Sequence, residues 1–215
     1  MDISYDANVY CTDGLYGRST RVVLNPKDRR VTYLVVKEKQ QPHAERMLPI
    51  KQVTRTTADE IHLNCNKDTA SKAQSFEVNR YVPVPKPGSD AYQALSIGHY
   101  SENSYLGTRE YIPIKYTAIP LRELTVYRTA RVKATNGTVG RLREFLVNPT
   151  DGQITHLVLR EGHIWGQEAF TIPISIVDRF EEETVYLKLN KRAIAAFQTV
   201  PIHHFTRRKK VHADH

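Results

Sequence analysis

Histidine has the widest chemical use of any residue type in this 215-residue chain, since it can hold a metal or transfer a proton. No two histidines have the four-residue spacing that places metal ligands on one face of a helix, and no carboxylate accompanies His203 and His204 at ligand spacing. We therefore expect no metal site, and we expect His156, within an apolar segment, to be a partly buried packing residue. The nine histidines are His43, His62, His99, His156, His163, His203, His204, His212 and His215.

The two cysteines, Cys11 and Cys65, could supply a nucleophile, but the sequence shows no base or activating environment beside either of them. We expect both to be small buried apolar side chains. The chain contains no Gly-x-Ser-x-Gly elbow, no phosphate-cradling loop and no dinucleotide fingerprint. The acidic residues around Arg179 are typical of a solvated turn. The sequence therefore predicts a protein that is not an enzyme and uses neither a cofactor nor a metal.

Trp165 is the only tryptophan and stands between Gly162 and Gly166, where we predict the tip of a hairpin. Two interpretations are open. The ring packs against a neighbouring domain, or it is an exposed aromatic anchor for a partner, as is common at interface hot spots. With His163 and Ile164 it forms the candidate partner surface that the sequence favours most.

The net charge of +8 is spread unevenly along the chain. The only dense basic run is in the tail, at Arg207, Arg208, Lys209 and Lys210, whereas basic and acidic residues nearly balance elsewhere. A nucleic-acid-binding domain usually shows a basic stripe on its folded body. Two interpretations of the tail remain open: a solvated terminus, or an anion-binding arm for RNA, DNA or an anionic membrane surface.

The chain repeats itself, and this repeat organises the elements that carry these residues. Residues 9–38 align without a gap with residues 132–161, at a constant offset of 123, and 12 of the 30 positions are identical. The matched residues include glycines and prolines of turns and apolar residues of strands. Two copies are too few for a solenoid, so we predict a duplicated domain.

Each copy has the pattern of a small β domain. Asn136-Gly137 is a strong hairpin signal, and the turn at 148–152 contains proline and glycine. Short β-branched segments follow at hairpin spacing, which predicts five or six strands per copy in a closed or partly open barrel. The one helix we predict covers Lys191 to Phe197.

Four segments follow from this pattern: a first β-barrel over 1–82, a connector over 83–118, a second β-barrel over 119–205, and a basic tail over 206–215. The connector is rich in proline and tyrosine. Prolines make stiff spacers. Its tyrosines either pack back onto a barrel, hold the two barrels together, or form an exposed contact surface.

Several motifs resemble the PRC-barrel family, and in particular a bacterial subfamily with two such barrels in tandem. They cover about 150 of the 215 residues. Each copy contains a Gly-x-x-Gly-Arg element, an Asn-Pro turn, a Leu-Val strand and a Pro-Ile pair. The residues are Gly14, Gly17, Arg18, Asn25, Pro26, Leu34, Val35, Pro49 and Ile50, with Gly137, Gly140, Arg141, Asn148, Pro149, Leu157, Val158, Pro173 and Ile174.

This resemblance implies an all-β fold of two PRC-type barrels and a function in macromolecular binding. The family includes the cytoplasmic domain of the photosynthetic reaction-centre H subunit and a domain of a ribosome-maturation factor. We therefore expect a non-enzymatic protein-binding scaffold or adaptor, cytoplasmic and peripheral to a photosynthetic or other membrane-bound redox complex. The alternative is an RNA- or ribosome-associated assembly factor that uses basic surface and the tail. No segment has the roughly 18 consecutive apolar residues of a membrane span.

Overall fold

The computed structural model describes residues 1–85, 109–127, 130–161 and 169–196. Strands dominate these residues, as the alternating and β-branched segments predict. The chain begins with β1 (Asp2–Ser4), and the first copy follows with β2 (Asn8–Cys11), β3 (Gly14–Asn25), β4 (Arg30–Glu38), β5 (Glu45–Pro49), β6 (Val53–Thr56) and β7 (Glu60–Leu63). β8 (Glu77–Pro85) crosses the predicted boundary between the first barrel and the connector, and β9 (Arg109–Thr117) lies within the connector. Next come β10 (Leu124–Tyr127), β11 (Arg131–Ala134), β12 (Gly137–Val147), β13 (Ile154–Glu161), β14 (Ala169–Pro173), β15 (Val177–Phe180) and β16 (Thr184–Leu187).

The two copies form two seven-stranded sheets with the same strand order. The first runs β5-β4-β3-β2-β7-β6 and the second β14-β13-β12-β11-β16-β15, each with one further strand at its side. All neighbours are antiparallel except the pairs β2–β7 and β11–β16. The duplication that the sequence shows is therefore a duplication of structure, and the all-β fold class is confirmed at the level of two seven-stranded sheets.

The hairpin glycines lie where the repeat predicts turns. Gly14 and Gly137 have φ of 117° and 129°, a region that glycine enters without a steric penalty. The turn before each glycine is tied to a short helix: Asp13 accepts from the backbone of Lys67, and Asn136 accepts from that of Lys191.

Both copies end in such a helix, α1 (Lys67–Ser71) and α2 (Lys191–Ala195). The prediction of a single helix over Lys191 to Phe197 was therefore incomplete, because the first copy has one as well. An asparagine side chain caps each helix, Asn66 in the first copy and Asn190 in the second. A helix of five residues has too little periodicity to be found by pattern alone.

The copies exchange their first strands. β1 precedes the first copy but pairs with β12 of the second, with Ile3 opposite Phe145. β10 precedes the second copy but pairs with β3 of the first, with Val126 opposite Val22. The two pairings are equivalent under the 123-residue offset, so the exchange is reciprocal.

One hydrophobic core serves both sheets. Residues of both copies, such as Ile3, Val22, Val126 and Phe145, belong to a single buried cluster. The hydroxyl of Tyr5 donates to the carbonyl of Val126 at 3.0 Å, and burial raises the pKa of this phenol. The copies are therefore one folded body rather than two independent ones.

The two asparagine–proline turns add a further tie between the copies. The amide of Val31 donates to the carbonyl of Gly152 at 3.0 Å, and the amide of Ile154 donates to that of Arg29 at 2.9 Å. Gly152 has φ of 74°, and a Cβ there would lie 2.7 Å from the Val31 carbonyl oxygen. The close approach of these turns requires glycine at this position.

The chain divides into two compact units. One contains Met1–Phe76 together with the described residues from Ile119 onward, and holds both seven-stranded sheets. The other is Glu77–Ala118, in which β8 and β9 form a two-stranded antiparallel sheet.

Candidate functional site

The two-stranded sheet β8–β9 concentrates the exposed apolar surface of the described residues. Six of the seven large hydrophobic side chains exposed there lie on these two strands. A monomeric protein rarely exposes contiguous apolar area without a use for it, so this sheet is the candidate site. The six side chains are Val78, Tyr81, Tyr111, Ile112, Ile114 and Tyr116.

The pairing register sorts these side chains onto two faces, because directly opposed residues of an antiparallel pair share a face and neighbours along a strand alternate. The pairs at every second position carry mostly aliphatic side chains. We call this the apolar face: Val78, Val82, Val84, Ile112, Ile114 and Tyr116, with Arg80 and Glu110 among them. The opposite face, here the tyrosine face, carries Asn79, Tyr81, Pro83, Tyr111, Pro113, Lys115 and Thr117.

Charged residues of the sheet form contacts on both of its faces. The guanidinium of Arg80 lies 5.6 Å from the centroid of the Tyr116 ring, which is a cation–π contact along the face. On the tyrosine face, Lys115 forms an exposed ion pair with Glu77 at 3.5 Å. Tyr81 and Tyr111 are 66% and 61% exposed, so their rings are available to a partner.

Prolines make the outer edges of the sheet unfavourable for pairing with a further strand. A proline nitrogen has no hydrogen to donate, so it is tolerated only where it points away from the paired strand. Pro83, Pro85 and Pro113 all belong to the same alternate set of pairs. Each removes a donor from an outer edge, which opposes the addition of a further strand there. The faces, not the edges, are therefore the surfaces suited to contact.

The sequence predicted a tyrosine-rich connector over 83–118 without a strand in it, and it assigned most of β8 to the first barrel. Proline within a segment argues against a central strand, which is why the sequence did not predict this one. In the structure the prolines occupy edge positions of the strand. The signal that could have found it is the alternation around Ile112 and Ile114. Tyr92, Tyr100 and Tyr105 lie outside the described residues.

The candidate partner surface of His163, Ile164 and Trp165 lies outside the described residues, and so does the basic tail at Arg207, Arg208, Lys209 and Lys210. The structure adds nothing to either prediction.

The cysteines are free thiols in contact with one another. Cys11 is buried, and burial, followed by the neighbouring Cys65, raises its pKa to about 12. Cys65 is half-buried, and its thiol donates to Oε1 of Gln52 at 3.6 Å. A thiol with so high a pKa is protonated near neutral pH, so Cys11 is unsuited to nucleophilic attack.

His62 and His156 are two of the histidines considered above for metal binding or proton transfer, and Arg179 lies among acidic residues. His62 stacks on Tyr10 with ring centroids 5.2 Å apart, and His156 is half-buried. Arg179 forms exposed ion pairs with Asp178 and Glu181; Asp178 and Arg179 lie on β15, so this cluster is not confined to the turn that the sequence predicted. In the part of the chain that the structure describes, no group of three His, Cys, Asp or Glu side chains is placed to hold a metal.

One buried carboxyl stands apart. Glu144 on β12 accepts from the hydroxyl of Ser4 at 2.7 Å, while its Oε1 has no hydrogen-bond partner in the described structure. Burial raises the pKa of this carboxyl. The residue lies where β1 joins the second sheet, so it belongs to the exchanged-strand contact rather than to a reactive site.

No helix in the described residues is long and apolar enough to cross a membrane. No protein-family profile matches the chain, and no curated protein is significantly similar to it.

Proposed function

We propose that the chain is a non-enzymatic protein-binding adaptor that presents the apolar face of the β8–β9 sheet to a protein partner. The observation that carries this proposal is the exposure of Val78, Ile112, Ile114 and Tyr116 together on one face. Interfaces between proteins are enriched in aromatic and aliphatic anchors ringed by polar groups, and Arg80 and Glu110 supply such groups here.

A second part of the proposal is that each copy is a PRC-type barrel. Each sheet order begins and ends with strands that are consecutive in the chain, β5 and β6 in the first copy. Only the three residues Ile50–Gln52 join them. A sheet whose two end strands are so closely linked has to curl around its core, which supports a barrel.

The resemblance to the PRC-barrel family suggests the setting of the partner, a photosynthetic or other membrane-bound redox complex. In this proposal the seven-stranded sheets are the scaffold, and the apolar face is the contact. We propose the surface of His163, Ile164 and Trp165 as a second contact, because Trp165 is the only tryptophan and aromatic residues are common at interface hot spots.

The test is capture of the partner from native lysate by the tagged full chain, with and without nuclease, at low and high salt. Replacing Ile112 and Ile114 with glutamate (I112E/I114E) places two charges on the apolar face and should abolish capture of a nuclease-resistant protein. The matched control N79E/T117E adds the same two charges to the opposite face and should retain capture.

Equal capture by wild type and I112E/I114E would reject the apolar face as the contact. Loss of capture in W165A alone would move the contact to the second surface. Loss of all capture on nuclease treatment would favour the RNA-associated alternative.

A further inference from the structure

A row of arginines crosses the second sheet, and the pairing register alone reveals it. Arg131 on β11 lies opposite Arg141 on β12, and Arg141 lies opposite the backbone of Arg160 on β13. The row ends at Thr184 on β16 and Ala169 on β14. These three arginines are 10 and 19 residues apart in the sequence, so no basic run announces them.

The equivalent row of the first copy is neutral. There the register places Glu60, Asn8, Arg18, Lys37 and Glu45 side by side on five neighbouring strands. Two acidic and two basic residues give these five positions no formal net charge; Arg18 forms an ion pair with Asp6 at 3.3 Å, and Glu45 pairs with Arg21 outside the row. The same five positions of the second copy carry three basic residues and no acidic one.

Arg131 and Arg141 are the two arginines of the row whose side chains the structure describes. Arg131 and Arg141 are both exposed, and neither forms an ion pair with any residue that the structure describes. In the adjacent row of the same face, Lys133 lies 5.8 Å from the centroid of the Tyr186 ring. Like charges directly opposite on neighbouring strands destabilise a sheet, and an anion lying across them would remove that cost.

We propose that Arg131 and Arg141 of this row bind the phosphodiester backbone of a nucleic acid. Neighbouring strands are about 4.8 Å apart, so the Arg131 and Arg141 positions lie side by side at about that spacing. A guanidinium group binds phosphate oxygens through paired donors, and a nucleic-acid strand is a linear array of phosphates. The site is independent of the apolar face and goes beyond the proposed adaptor function.

Two other anions fit the row less well. A single small anion would use one guanidinium, whereas Arg131 and Arg141 offer two on neighbouring strands. Peripheral membrane binding usually adds apolar anchors to a basic cluster, and none of the large exposed hydrophobic side chains of the described residues lies on the second sheet. A nucleic acid gains affinity from several phosphates at once through counterion release.

The test measures the affinity of the full chain for a fluorescently labelled single-stranded oligouridylate over a series of salt concentrations. R131A/R141A should weaken binding roughly tenfold and reduce the slope of log K against log salt by about 1.4, since each single-strand phosphate contact contributes about 0.7. The matched control R18A/K37A removes the same charge from the equivalent row of the first copy and should leave binding unchanged.

Three further arms separate the alternatives. Neutralising the tail with R207Q/R208Q/K209Q/K210Q should leave the effect of R131A/R141A intact, and I112E/I114E should bind the oligonucleotide as wild type does. Equal affinity of wild type and R131A/R141A, or equal losses in R131A/R141A and R18A/K37A, would overturn the proposal. So would R131A/R141A-sensitive binding to phosphatidylserine vesicles without binding to the oligonucleotide. Circular dichroism and thermal unfolding confirm that each variant is folded.

Discussion

At the scale of single residues, the repeat places opposite charges at one equivalent position. Arg21 of the first copy corresponds to Glu144 of the second. Arg21 pairs with Glu45 and lies 5.3 Å from the ring of Tyr127 on β10, whereas Glu144 accepts from Ser4 on β1. Both residues thus contact an exchanged strand. Arg21 has an acidic partner, whereas no cationic side chain among the described residues lies close enough to Glu144 for an ion pair.

We expect Glu144→Gln to stabilise the fold at neutral pH by about 1 kcal/mol, because it removes a desolvated charge and keeps an oxygen that can accept from Ser4. Burial raises the pKa of Glu144 above its ordinary value of 4.5, so the folded state holds the proton at a higher pH than the unfolded state does. The stabilising effect of protonation is complete below 4.5 and is lost as the pH rises through the folded-state pKa.

The measurement is urea unfolding of Glu144→Gln and wild type at neutral pH and at pH 4.5. The increase in the free energy of unfolding caused by Glu144→Gln should be larger at neutral pH than at pH 4.5. The exposed control Glu183→Gln should change stability little at either pH. A gain that does not depend on pH would contradict the argument.

At the scale of elements, β1 and β10 are short strands whose place is set by the other copy. Ile3 is fully buried and lies opposite Phe145, so most of what holds β1 belongs to the second sheet. A three-residue strand has little stability of its own, and burial of Ile3 has to fix it.

Ile3→Ala should destabilise the protein by about 2–5 kcal/mol, the usual cost of emptying a fully buried aliphatic site. Leu121→Ala removes the same number of carbon atoms from a side chain that is 95% exposed and should change stability by less than about 0.5 kcal/mol. Denaturant titration of both variants measures the difference. Similar stability of Ile3→Ala and wild type would mean that β1 is not docked in solution.

At the scale of the whole molecule, the reciprocal exchange and the shared core make the two copies interdependent. Neither sheet keeps its seventh strand without the other copy. Two independent copies would unfold one at a time, whereas exchanged strands make the unfolding of each copy depend on the other.

We therefore expect both copies to unfold in one cooperative step. Hydrogen exchange followed by mass spectrometry should give the same opening free energy for β3–β4 of the first copy and β12–β13 of the second. Ile3→Ala should lower both values together. A fall confined to the second copy would show that the copies unfold separately.

The candidate sites were less accessible to sequence reasoning than the fold. The connector was noted for its tyrosines, but a single sequence does not show that Ile112 and Ile114 share a face with Val78, because that depends on how β8 and β9 pair. The arginine row was hidden for the same reason: the charge of the folded body looks balanced along the chain and becomes concentrated only when strands are placed side by side.

The sequence by itself determined the duplication, the all-β class, and the turns at Gly14 and Gly137, because local periodicity and backbone restrictions act over a few residues. Only the tertiary structure decided which copy each first strand joins, which side chains share a face, and where positive charge accumulates. These depend on contacts between residues more than 100 positions apart, such as Ile3 with Phe145, and on cross-strand register, which local patterns do not specify.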